Sequence, residues 1–202
     1  MSRYHIVTTW RVDASLEEVA GVLGDIARLT EWWPSVYLAV EELAPGDATG
    51  LGKEVELLTK GWLPYTLRWR FRVTEVDPPR RVVLVPSGDF TGRGEWSFAQ
   101  EGPVAVIRYD WQVQARKPVL RALTWLLRPL FTANHDWAMQ RGEESLRLEI
   151  LRRRAASDAE RARIPPPPGP SRLTFAGRAP QPIRPRAREP RNRWSIKGSS
   201  GL

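Results

Sequence analysis

Six short β-prone runs follow one another along this chain, joined by segments too short for anything but a turn, and no other feature restricts its fold as much. They occupy residues 36–43, 53–60, 65–76, 81–86, 92–100 and 104–115. The separators Pro45-Gly-Asp47, Gly61, Asp77-Pro-Pro79, Ser87-Gly-Asp89 and Glu101-Gly-Pro103 all carry turn chemistry. Parallel neighbours need a long crossover, so the runs must pair antiparallel. In the third run Leu67, Trp69, Phe71 and Val73 share one face and Arg68, Arg70 and Arg72 the other. In the last, Ala105, Ile107, Tyr109, Trp111 and Val113 alternate with Arg108, Asp110, Gln112 and Gln114. One face is dry and one wet, as in a curved antiparallel sheet covered on one side.

The flanking segments supply the cover. Residues 4–12 alternate, with Ile6, Thr8, Trp10 and Val12 on one side, and read as a further strand. Ser15 and Glu18 have capping-box spacing and open a helix that buries Leu16, Val19, Ala20 and Leu23. A second short helix, 26–33, ends at Pro34. After Pro118 the period becomes about 3.6. Leu120, Leu123, Leu127, Leu130, Asn134, Trp137, Arg141, Ser145 and Leu148 trace a stripe along a helix reaching about Arg154, with a kink expected at Pro129. The order predicts an α+β fold: a seven-stranded antiparallel sheet wrapped around a long C-terminal helix, with two short helices after strand 1.

Charge divides the chain at the end of that helix. The formal charge is +8 and the pI about 10.5, values that on their own point to nucleic acid or an anionic surface. Residues 1–154, however, hold 21 Lys+Arg against 20 Asp+Glu, whereas 155–202 hold 10 against 3 and 9 of the 18 prolines. We read 1–154 as the folded domain and 155–202 as a Pro/Arg-rich disordered tail, since such a composition buries too little apolar surface to offset chain entropy. Aromatic residues in the tail are sparse (Phe175 and Trp194), so nucleic acid is not the expected partner. Tail-mediated association with nucleic acid or an anionic membrane stands as an alternative.

Several chemistries are excluded. The chain has no cysteine, hence no disulfide, thiolate nucleophile or Cys-ligated metal. Its two histidines, His5 and His135, cannot build a multi-histidine metal centre, and neither metal nor cofactor is expected. The N-terminus lacks the apolar run of a signal peptide, and 119–131 is interrupted by Arg121, Arg128 and Pro129. The expectation is a cytoplasmic protein, with peripheral membrane contact through 119–131 as an alternative to packing of that segment on the domain. Gly88 to Gly94 has neither the following helix nor the Lys-Ser/Thr of a phosphate loop, and reads as a hairpin with a close backbone approach.

The strings Gly88-Asp-Phe-Thr-Gly-Arg-Gly-Glu-Trp-Ser-Phe98, Tyr109-Asp-Trp111, Asn134-His-Asp-Trp-Ala-Met139 and Gly142-Glu-Glu144, with Asp13 to Val19 and Asp25 to Trp33, carry a resemblance. Over about residues 3–153 the chain resembles the SRPBCC or START-like helix-grip superfamily, most closely its polyketide cyclase/dehydrase branch. The resemblance implies a deep ligand cavity between sheet and long helix. It does not choose among cyclases, lipid carriers, hormone receptors and chaperone co-activators, because fold alone does not supply function.

Nine tryptophans precede residue 155, several on inward registers. Trp10, Trp69, Phe71, Trp96, Phe98, Tyr109, Trp111, Leu130, Asn134 and Trp137 are the expected ligand-binding wall, suited to a flat or lipid-like hydrophobe. Tyr109 and Asn134 can orient a carbonyl or hydroxyl without burying charge, and His135 is the one candidate interior base. His135 read as a helix-packing residue is the competing account, as is a structural pair between Arg141 and Asp110. These three residues are the catalytic candidates if the protein is an enzyme. No convergent set of acids and bases appears, which favours a carrier or binding protein over a cofactor-independent polyketide cyclase/dehydratase. Oligomeric state leaves no mark in the sequence.

Overall fold

The computed structural model describes residues 4–115 and 118–172, with the backbone alone for residues 90, 115 and 118–128. The strands are β1 (Tyr4–Asp13), β2 (Tyr37–Ala44), β3 (Glu54–Lys60), β4 (Thr66–Asp77), β5 (Arg81–Gly88), β6 (Phe90–Glu101) and β7 (Val104–Ala115). They form one antiparallel sheet in the order β1-β7-β6-β5-β4-β3-β2. Every neighbour except β1 and β7 is joined by a hairpin, as the short turns require. Helix α1 (Leu16–Leu23) starts at the expected capping box: Ser15 Oγ accepts from the Glu18 N–H and the Glu18 carboxylate from the Ser15 N–H. A 3-10 turn (Ile26–Arg28) and α2 (Leu29–Trp32) follow, and α3 (Pro118–Arg154) carries Pro129 inside it.

Side-chain alternation tells which face is dry. On β1 the even residues Trp10 and Val12 are buried and Arg11 and Asp13 exposed; on β7 Ala105, Ile107, Tyr109, Trp111 and Val113 are buried. The outward face is laced with ion pairs, among them Glu56 with Arg68 and Arg70, and Arg81 with Glu75 and Glu95. Glu56 is itself buried, but the exposed pairs contribute about 0–1 kcal/mol each, so burial on the inner face dominates the stability.

The long helix is rotated from its expected setting. Its buried residues are Met139, Gly142, Ser145, Leu146, Glu149 and Ile150, whereas Trp137, Arg141 and Leu148 lie to the side. The reason is Trp33. A Cβ on Gly142 would lie 2.3 Å from Trp33 Cζ2, so the indole occupies the helix surface where a larger residue would project. Hydrophobicity cannot mark that contact, because the helix contributes a missing side chain. The expected Arg141–Asp110 pair does not form. Arg141 bonds Glu144 at 2.8 Å and lies over Trp137, while Asp110 meets His5, Arg108 and Gln112 on the outward face.

The segment beyond Arg154, expected to be disordered, contains a helix, α4 (Asp158–Arg163). Ser157 caps it, Asp158 and Glu160 sit in the first turn, and Arg161 and Arg163 in the last, complementing the helix dipole. Chain 164–172 then returns to the domain: Arg152 donates to the Pro165 carbonyl, Lys60 Nζ to the Ser171 carbonyl (2.7 Å), and Ser171 Oγ to the Trp62 carbonyl (3.0 Å). Residues 173–202, and with them most of the basic tail, lie outside the described residues. So do the side chains of 119–128 in the candidate membrane segment. Among the described residues no helix is long and apolar enough to cross a membrane.

Gly142→Ala tests the helix seating. Alanine gains up to about 1 kcal/mol of helix propensity, but overpacking against a clamped indole costs about 1–3 kcal/mol. A net loss of stability in urea unfolding is expected; a gain would show that Trp33 is free to move aside.

Candidate functional site

The strongly curved sheet does not close down on α3. Between them lies a cavity of about 600 Å³, within the range of small-molecule sites. Its wall is aromatic. Trp96 stacks on Tyr109 at 4.1 Å and 20°, Tyr109 on Trp111 at 5.4 Å and 25°, and Trp111 meets Trp69 at 5.7 Å. Glycine makes this ladder possible: a Cβ on Gly94 would fall 2.8 Å from the Trp111 ring and 2.9 Å from Leu84 Cδ1. On Gly92, at φ +142°, it would fall 2.0 Å from the Gln112 carbonyl oxygen. The glycine run from 88 to 94 is therefore the close backbone approach read from the sequence. Trp69 Nε1 donates to Thr59 Oγ1 at 3.1 Å, which leaves its ring face to the cavity.

Polar groups gather where α3 meets the β3–β4 loop and β1. Asn134 Oδ1 accepts from the Leu63 N–H at 3.0 Å, and a Cβ on Gly61 would lie 2.2 Å from that oxygen. Glycine there lets the loop close on the amide. His135 follows on the cavity wall, its Nε2 3.5 Å from Thr8 Oγ1. Burial drives its pKa down to about 4 against the opposing charge of Asp136, so the imidazole is neutral at pH 7. Burial also pushes the Tyr65 phenol up to about 12, with Tyr4 adding to it. Tyr109 is raised well above its ordinary value by burial and then by its neighbour Tyr37, itself raised by burial. Around Asn134 and His135 the wall presents uncharged hydrogen-bonding groups, with the buried Lys60 on the lining beside Gly61. Among the described residues no cluster of three or more His, Asp or Glu could hold a metal ion.

Of the residues expected from sequence, Trp69, Phe71, Trp96, Phe98, Tyr109, Trp111, Asn134 and His135 line the cavity. Trp10, Leu130 and Trp137 do not. Trp10 is 1% exposed and sits behind the wall, 5.4 Å from Trp33 and 5.5 Å from Trp96. Leu130 and Trp137 are turned aside by the helix rotation that brings His135 and Met139 round. Sequence reasoning missed Trp33, Tyr37 and Tyr65. Tyr65 begins a run already read as inward at Leu67, so two-residue spacing was an available signal. Trp33, just before a helix-ending proline, offered none.

The buried imidazole has a thermodynamic signature. A histidine with a native pKa of about 4 and an unfolded pKa of about 6.5 binds more protons unfolded. Its stability contribution is intact above pH 6.5 and is lost as pH falls towards 4, by up to about 3 kcal/mol. His135→Gln should flatten the stability–pH curve over that interval, measured by urea unfolding at stepped pH. An unchanged slope would place the imidazole in water.

A family model described as polyketide cyclase/dehydrase and lipid transport matches residues 3–148. No curated protein sequence is significantly similar to the chain. Among solved structures, the Thermus thermophilus protein TTHA0849 superposes with a TM-score of 0.61 at 17% identity, covering 75% of this chain and 100% of its own. The Zhui aromatase/cyclase from a Streptomyces species gives 0.61 at 19%, covering 78% and 99%. Norcoclaurine synthase from Thalictrum flavum gives 0.50 at 16%, covering 76% and 98%. These similarities show a common helix-grip fold. With the family model spanning the sheet and most of the long helix, the chain belongs to the polyketide cyclase/dehydrase and lipid transport family.

Proposed function

We propose that the protein encloses a hydrophobic small molecule, lipid-like or aromatic, between the sheet and α3, and acts as its carrier or binding protein. The observation that carries this reading is the cavity itself: about 600 Å³ of space walled by stacked rings in a domain otherwise well packed. An interior of this kind is costly to leave empty, since its lining forgoes dispersion contacts that a ligand restores. Family membership supports the same ligand class.

Binding is favoured over chemistry by the titration of the lining groups. An efficient general acid or base works near its pKa, yet His135 is held at about 4 and Tyr65 at about 12, with Tyr109 far above neutrality. A cofactor-independent cyclase or dehydratase is the second reading. It is supported by His135 and Asn134 side by side on the cavity wall, and by the aromatase/cyclase and synthase named among the structures of the same fold. In that case the wall would hold a flexible substrate folded near its reactive geometry, and Asn134, Tyr109 and His135 would polarise a carbonyl or move a proton.

Native mass spectrometry of freshly purified protein should reveal a co-purifying hydrophobic molecule, or uptake of added long-chain and polycyclic probes. A chain that takes up none overturns the proposal. With a bound probe in hand, Trp69→Ala should weaken affinity about tenfold or more, as expected for removing a ring from a desolvated wall. His135→Gln separates the two readings: loss of turnover at unchanged affinity supports the enzyme, and weakened affinity with no turnover to lose supports the carrier.

A further inference from the structure

The chain does not leave the domain at Arg154. The family match ends at residue 148, yet the segment up to Ser171 folds back onto the domain by contacts of its own. After α4 come Pro165 to Pro168, Gly169, Pro170 and then Ser171. Consecutive prolines hold the backbone extended before it touches anything, so docking them costs little chain entropy. From Pro165 to Ser171 such a backbone covers about 19 Å, and α3 from Asn134 to Arg152 covers about 27 Å. With the Arg152 side chain reaching the Pro165 carbonyl, the segment is long enough to return along α3 to the level of Asn134.

It arrives on the β3–β4 loop. Ser171 Oγ donates to the Trp62 carbonyl at 3.0 Å, and the Ser171 carbonyl accepts from Lys60 Nζ at 2.7 Å. Lys60 is buried, and a buried ammonium stays where its hydrogen-bond acceptors are. From its other side the loop is gripped by α3. The Leu63 N–H donates to Asn134 Oδ1 at 3.0 Å, and Gly61 admits that carboxamide to a distance no Cβ would allow. Lys60, Gly61, Trp62 and Leu63 are consecutive, so Ser171 and Asn134 hold one short stretch of backbone between them. Gly61 and Tyr65 of this loop line the cavity.

We propose that residues 164–171 are a strap that controls the β3–β4 loop: docked, they keep it seated on Asn134; released, they let it lift from α3 and expose Lys60. Strap and carboxamide hold the same stretch, so each favours the other's contact and the coupling runs in both directions. A segment beyond the family domain thereby sets how firmly one part of the cavity wall is held. Pro165, Pro166, Gly169 and Pro170 are exposed, so the strap buries little surface and belongs to the parts of a fold that open first.

The chain has four lysines, and two of them supply the readout and its control. Lys60 is buried and bonded to the strap, whereas Lys53, just before β3, is half-exposed and paired with Glu42 at 3.3 Å. Acetic anhydride footprinting of the full chain, read by mass spectrometry, should modify Lys53 readily and Lys60 slowly. Pro167→Gly combined with Pro168→Gly leaves the domain untouched and gives the undocked strap more freedom. Lys60 should then react about tenfold faster, with Lys53 unchanged. Exchange of the Leu63 amide, followed by NMR, should rise by a similar factor as the loop loosens with the strap. Asn134→Ala, made at the opposite grip, should raise Lys60 reactivity several-fold with the strap sequence intact. A Lys60 rate indifferent to the two glycines overturns the strap. A faster Lys60 with an unaltered Leu63 amide, or native Lys60 reactivity in Asn134→Ala, overturns its hold on the loop. An equal rise at Lys53 and Lys60 marks global loosening and overturns both. None of these readouts needs a ligand, so their failure and that of the binding proposal are separate events.

Discussion

The fit of Trp33 onto Gly142 governs the architecture, because it sets how α3 lies over the sheet. The Trp33 ring also contacts Trp32 at 5.4 Å, Trp10 at 5.4 Å and Tyr37 at 5.1 Å, so one indole joins α2, β1, β2 and α3. At the other end of the buried half of the helix, Asn134 is pinned to the β3–β4 loop through Leu63 and Gly61. Between the two clamps the helix is a rigid span, and the curved sheet bows away beneath it. The cavity lies in the space between that span and the sheet.

That space stays open because its walls are braced sideways. Trp69, Trp111, Tyr109 and Trp96 form a continuous series of ring contacts, and Trp96 is backed by Trp10. Each ring is held by its neighbours, so rotation of one into the void would break stacking worth about 0.5–1.5 kcal/mol per pair. Gly94 adds a second brace by letting Trp111 lie flat against the strand. The same arrangement keeps charge away from the middle. Arginines and glutamates of β3, β4 and β6 point outward and pair there, while the inward positions carry phenols, an amide and a neutral imidazole, and the buried Lys60 joins the lining at the end of β3.

Much of this was legible in the sequence because it rests on patterns with a fixed period. Two-residue alternation located the inner face of β1, β4 and β7, and the turn chemistry left no topology other than adjacent hairpins. Four of the aromatic wall residues, Trp69, Phe71, Tyr109 and Trp111, follow from that register alone. The helix was read less well, since a periodic stripe fixes a helix face only when large residues mark it. Here the innermost face holds Gly142 and Ser145, and its large residues, Trp137 and Leu148, lie off centre. The short α4 was missed for a related reason: six residues without an apolar face leave no periodicity, and only Ser157 and the charge order betray it.

The helix rotation also bears on His135. With the stripe centred on Leu130, Asn134 and Trp137, the imidazole falls about 100° away, at the seam between helix and sheet. In the observed setting it enters the wall beside Thr8 and loses its charge. A neutral, desolvated imidazole next to a carboxamide offers the cavity one donor and one acceptor without the penalty of an ion. Proton transfer there would require a substrate whose own group becomes basic or acidic enough to match a pKa of about 4. The packing of a tryptophan onto a glycine, two turns along the helix, thus decides whether this histidine faces the cavity, and burial decides that it stands there uncharged.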